Sequence, residues 1–152
     1  MFKRFFLIFV FLLLNACGYS STLKNQQIDF SITSIEIQNK NKISFMVKNS
    51  LKSFERIKNK SKNYIIKIET DYSTRSTSKD SKGNPKTLEL TVVVKLLVLE
   101  GTEKYQKDFI KTFAYTNRSN KFNLKNYEDS IVESLVEKIS IEISQYLVKL
   151  SG

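Results

Sequence analysis

The chain has 152 residues, with 25 Lys and Arg against 15 Asp and Glu, giving a formal net charge of +10. It contains no His, no Trp and one Cys. The missing imidazole excludes serine–histidine and cysteine–histidine catalysis and removes the commonest metal ligand, and a lone Cys closes no disulfide within the chain.

Taken in order, the chain opens with a positive pair, Lys3 and Arg4, followed by an unbroken apolar run of ten residues from Phe5 to Leu14. A membrane-spanning helix needs roughly 20 residues, so the run is too short to stay as an anchor. Charged start, apolar centre and the polar-then-small pair Asn15-Ala16 form the layout of a secretory signal peptide over residues 1–16. The order Leu14-Asn15-Ala16-Cys17 resembles the bacterial lipobox, which directs diacylglycerol onto the thiol and cleavage just before the cysteine. That resemblance implies a covalent diacylglycerol and an N-acyl lipid on Cys17, and no other cofactor is expected. Gly18 stands where an aspartate would favour retention in the inner membrane, so the expected location is the periplasmic face of the outer membrane, lipid-anchored. A signal peptide also directs the domain away from the cytoplasm, which excludes nucleic acid as a partner despite the charge.

Residues 17–27 are polar and read as a lipidated tether, leaving 28–152 as a single domain. Ile28, Phe30 and Ile32 alternate with polar residues, and Ile35 and Ile37 resume the pattern after Ser34, which predicts a first strand. Ile43, Met46, Val47, Leu51 and Phe54 fall three and four apart, predicting an amphipathic helix over about 42–58. Tyr64, Ile66, Ile68 and Tyr72 predict a second strand. Residues 73–86 are rich in Ser, Thr and Lys and contain the turn signal Gly83-Asn84-Pro85, so they read as a loop. The third strand, 87–100, has Leu88, Leu90, Val92, Val94, Leu96 and Val98 on one face. Gly101 predicts a tight reversal into a fourth strand over 105–116. A long helix over 125–150 follows, carrying a stripe from Ile131 to Leu150 and capped by Asn123 or Asn126.

The predicted order is β-α-β-β-β-α. Two amphipathic helices each need an apolar surface, and a four-stranded mixed sheet provides one. The expected fold is therefore an α+β two-layer sandwich with both helices on one sheet face. The other face would stay open, with Val93, Leu97 and Leu99 as a candidate partner-facing surface.

No enzyme is expected. Glu36, Glu55, Glu69, Glu89, Glu100 and Glu103 are scattered singly, and the remaining acidic residues near the last helix read as its solvated face. Four glycines, far apart, build no phosphate-cradling loop.

A lipobox with Cys17-Gly18-Tyr19, the early helix around Val47-Lys48-Asn49-Ser50-Leu51, a hairpin between strands two and three with a polar basic tip, an aromatic fourth strand and a last helix with Tyr146-Leu147 together resemble the LptE family. LptE proteins are lipopolysaccharide-assembly lipoproteins of the outer membrane. The resemblance implies lipopolysaccharide binding, and a partnership with an LptD-like outer-membrane β-barrel in which the lipoprotein sits as a plug. An accessory lipoprotein of another periplasmic lipid-transport or cell-wall machine, or a binder of a soluble ligand, are the competing expectations.

Charge fits an anionic glycolipid, because ammonium and guanidinium groups pair well with phosphate. Leaving out Lys3 and Arg4 takes the formal +10 to +8 for the secreted part. Arg75, Lys79, Lys82 and Lys86 across the expected loop, with Lys125 at the last helix, are the candidate lipopolysaccharide-binding residues. Lys48, Lys52 and Arg56 form a second, weaker basic stripe expected on the outer face of the first helix.

Overall fold

The computed structural model describes residues 28–58 and 60–152. The expected signal peptide, Cys17 and the tether lie outside the described residues. Six elements follow in order: β1 (Phe30–Ile37), α1 (Lys42–Glu55), β2 (Lys62–Lys79), β3 (Pro85–Glu100), β4 (Glu103–Thr116) and α2 (Lys121–Ser151). The strands form one sheet in the order β1-β2-β3-β4, parallel between β1 and β2 and antiparallel elsewhere. Both helices cover one face, α1 over β1 and β2 and α2 over β3 and β4. The predicted α+β sandwich and its β-α-β-β-β-α order are those observed.

Strand alternation explains most of this arrangement. On β3, Leu90, Val92, Val94, Leu96 and Val98 are all essentially inaccessible beneath the helices. Tyr64, Ile66 and Ile68 continue the layer on β2. β1 would break it, because Ile32 and Ile35 are an odd number of residues apart. A register shift between Ile32 and Ser34 absorbs the extra residue, so that Ile32, Ile35 and Ile37 oppose Tyr64, Ile66 and Ile68.

The polar break after β1 is a built corner. Asn41 caps α1, accepting from the Ser44 amide at 2.9 Å while the Ser44 hydroxyl accepts from the Asn41 amide at 3.1 Å. Asn41 also accepts from the Thr70 hydroxyl, and Asn39 from the Thr70 amide, each at 3.0 Å. The corner thus ties the start of α1 to the point where the core side of β2 ends. α1 buries Ile43, Val47 and Leu51, and Phe54 stacks on Phe30 at 5.1 Å. It ends three residues before the expected boundary, with Arg56 as its C-cap.

α2 starts a turn earlier than its periodicity predicts, with Asn120 rather than Asn123 or Asn126 as cap. Leu124 lies one heptad before Ile131 and is already buried, so it belongs to the same stripe. Asn123 supplies the amide that the Asn120 side chain accepts, at 3.0 Å.

One core residue carries an uncompensated cost. The Tyr64 ring is inaccessible, packed 5.2 Å from Phe30, and its hydroxyl has no hydrogen-bond partner among the described residues. Burial pushes its pKa from 10 up to about 12. Tyr115 is also raised to about 12, by burial and then by its bond to the Glu128 carboxylate. Because the folded state resists ionising either phenol, stability is level below the unfolded tyrosine value of about 10 and falls as pH climbs from there toward 12. Tyr64→Phe removes the orphaned hydroxyl and keeps the ring. We expect it to raise urea-denaturation stability by about 1 kcal/mol at neutral pH and to make alkaline unfolding shallower.

Candidate functional site

Three surfaces stand out once the core is accounted for. The first is the β2–β3 hairpin. Beyond Thr70, every β2 residue is exposed, yet the strand continues to Lys79 and β3 begins at Pro85. Most of the expected 73–86 loop is therefore paired strand, and only residues 80–84 form the turn. Hydroxyl and β-branched side chains suit a two-sided polar ribbon, and the Ser78 and Thr87 hydroxyls bond across it at 2.8 Å. The turn is organised by Asp80, whose carboxylate accepts from the amides of Lys82 and Asn84 at 2.9 and 2.8 Å. Those bonds, led by that from Asn84, hold its pKa below the ordinary carboxylate value. Gly83 occupies a left-handed conformation, φ +85°, that other residues rarely adopt.

This geometry divides the candidate cations. Lys79, Lys82 and Lys86 are exposed and gather around the turn, and none has an ion-pair partner among the described residues. Arg75 sits further down β2 and places both its Nε and an Nη on Oε1 of Glu89, at 2.8 and 2.7 Å. Lys125 lies in α2 and pairs with Asp129 at 2.6 Å, a contact that raises its pKa. Lys52 of α1 and Arg56 at its C-cap are exposed, whereas Lys48 turns back to donate to the Ile35 carbonyl at 3.0 Å. The expected basic stripe is thus shorter by its first member.

The second surface is the sheet face opposite the helices. Val93, Leu97 and Leu99 lie there half-buried. Register adds two residues to it: Leu99 opposes Ile65, and Val93 opposes Ile110, which is 57% exposed. Ion pairs divide these apolar spots, because Lys67 meets Glu36 at 3.0 Å and Lys95 meets Glu69 at 3.3 Å. Leu97 lies between Lys67 and Gln106, beside a shallow groove of about 320 Å³. The face thus carries apolar spots in a frame of paired charges.

The third surface follows β4 and α2. Phe109 and Tyr115 are core residues, but Phe113, on the same face of β4, remains 41% exposed. It overlooks an open groove of about 180 Å³ with Tyr127, Ile131 and Leu135. The exposure of Phe113 follows from β4 being a sheet edge, which periodicity along one strand does not reveal.

Rare lipoprotein B from Shewanella oneidensis superposes on this chain with a TM-score of 0.60, at 15% identity, over 80% of this chain and 99% of its own. A minor lipoprotein from Acinetobacter baumannii does so with a TM-score of 0.53, at 14% identity, over 81% and 92% respectively. Bacterial lipoproteins share this fold. The shared portion spans nearly the whole length of both lipoproteins. No family model and no curated protein matches the sequence.

Proposed function

We propose that the chain is an LptE-like outer-membrane lipoprotein that binds lipopolysaccharide and partners an LptD-like β-barrel during lipopolysaccharide insertion. The carrying observation is the conjunction of a lipobox ending at Cys17 with a fold that bacterial lipoproteins share. The mode of action is binding and scaffolding, through surfaces rather than an enclosed pocket. Val93, Leu97 and Leu99, joined by Ile65 and Ile110, face the barrel partner. The hairpin tip offers Lys79, Lys82 and Lys86 to the lipid phosphates, with Arg75 and Lys125 as secondary contacts because each already has a carboxylate partner.

The competing accessory role in another envelope machine predicts the same lipid anchor without affinity for lipopolysaccharide. A titration of lipopolysaccharide into the detergent-solubilised protein separates the two. Charge reversal of Lys79, Lys82 and Lys86 to Glu should weaken binding roughly tenfold or more, since each charge-assisted contact contributes about 1.5–3 kcal/mol. All three positions are solvent-exposed, so circular dichroism and the melting profile should stay unchanged. Undiminished binding by the triple variant would remove the hairpin tip from the site.

A further inference from the structure

The two edges of the sheet differ in how open they are to further pairing. β1 is eight residues long and interrupted by its register shift; a short, bulged strand is a blunted edge. β4 is fourteen residues long, has no Pro or Gly, and keeps an unshifted register with β3 from Thr87↔Thr116 to Glu100↔Glu103. Among the described residues, no strand pairs with its outer side. Lysines commonly guard such an edge, but here two of them fold inward. Lys111 pairs with Glu142 of α2. The Lys107 ammonium lies over the Phe109 and Tyr146 rings, 5.2 and 4.6 Å from their centroids.

Beside this edge, α2 leaves two open grooves. The larger, about 420 Å³, is lined by Lys107, Asp108, Phe109, Ile110, Tyr146 and Lys149, among others. Lys107 and Phe109 are on the helix side of β4, while Asp108 and Ile110 are on the opposite side. A cavity that touches both faces of one strand can lie only at its unpaired edge. The lining itself holds two lysines, Lys107 and Lys149, against two carboxylates, Asp108 and Glu142; Lys111, just outside it, neutralises Glu142 and leaves the site with one net positive charge. The smaller groove, under Phe113, is lined mainly by apolar side chains, with Ser130, Ser134 and Lys138 beside them.

We propose that the outer edge of β4 accepts an extended segment of a partner protein as a fifth strand, with an acidic side chain between Lys107 and Lys149 and an apolar one beside Phe113, Ile131 and Leu135. Main-chain pairing supplies affinity in this mode, and alternate side chains seated in pockets supply specificity. Lys107 and Phe113 share one face six residues apart, about 20 Å at ~3.3 Å per residue. The incoming acidic and apolar side chains therefore share a face at the same spacing. A second copy of this chain is a poorer occupant, because the secreted part carries +8 and β4 brings Lys104, Lys107 and Lys111 against Glu103 and Asp108. The proposal does not depend on the barrel assignment, since any envelope protein with such a segment fits it.

The test is photo-crosslinking of the full-length lipoprotein in the cells that make it. A photoreactive amino acid replaces Asp108, Ile110 or Thr112 in turn, with exposed Lys52 of α1 as the control, and the joined peptides are mapped by mass spectrometry. The expected result is one partner segment, contacted in steps of two residues as the probe moves in steps of two along β4. Lys149→Glu should reduce the yield at Ile110 at least threefold while leaving the melting temperature unchanged. Crosslinks to a second copy, to residues 17–27 of the same chain, to lipid alone, to partner residues without the two-residue step, or no yield above the Lys52 control would each overturn the proposal. Recovery of a ladder on a protein other than a β-barrel would support strand addition and count against the barrel assignment alone.

Discussion

Cys17→Ala should abolish incorporation of labelled palmitate and leave the chain at its unprocessed mass. Lipid attachment and cleavage both require the thiol, so the variant is expected to keep its leader, residues 1–16, and to disappear from the outer-membrane fraction. The physical basis is the anchor itself. Each buried methylene contributes ~0.8 kcal/mol, one acyl chain holds a protein only marginally, and two or more hold it stably. No helix among the described residues is long and apolar enough to cross a membrane. We expect at least about a tenfold fall in outer-membrane abundance, set by the loss of all attached chains. Palmitate labelling that persists in the variant would contradict lipidation at Cys17.

The second large effect separates the two faces of β3. Leu96 and Leu97 are consecutive, so alternation sends them to opposite sides of the sheet. Leu96 is fully buried beneath α2, and Leu96→Ala should cost about 2–5 kcal/mol through lost burial and the cavity left behind. Leu97 is half-buried on the outer face between Lys67 and Gln106. Leu97→Glu should cost under about 1 kcal/mol in the isolated domain, as expected for a position away from core packing. It should nevertheless abolish partner capture from membranes, because a carboxylate would be desolvated at the interface. Urea denaturation measures the first effect and co-purification the second. If Leu97→Glu captured its partner as well as the unaltered chain does, the outer sheet face would not be the contact.

How far these surfaces are legible in the sequence depends on whether their cause is local. The buried rows of β3 and the α2 stripe are written in periodicity, because one face of each element needs only apolar side chains. The interruption at Thr33-Ser34 is also visible, as a phase break between Ile32 and Ile35, and it proves to be the bulge. Residues 73–79 read as loop because a ribbon exposed on both faces needs no apolar alternation; its strand character comes from pairing with β3. Likewise, Arg75 meets a Glu fourteen positions away, a pairing that only the hairpin register reveals. Lys48 looks like part of a solvated stripe at spacing of four, yet its ammonium finds a carbonyl of β1. Which strands are edges is a property of the assembled sheet, and so the openness of β4 and of Phe113 is hidden from any single-segment pattern.

The central claim concerns what the anchored domain binds. Outer membranes are solubilised in mild detergent, the chain is captured by a tag at its C-terminus, and co-purifying proteins are identified by mass spectrometry. The proposed function predicts a large outer-membrane β-barrel in near-stoichiometric amount, carrying lipopolysaccharide with it. Recovery of inner-membrane transporter or cell-wall synthase subunits, with no barrel, would contradict it.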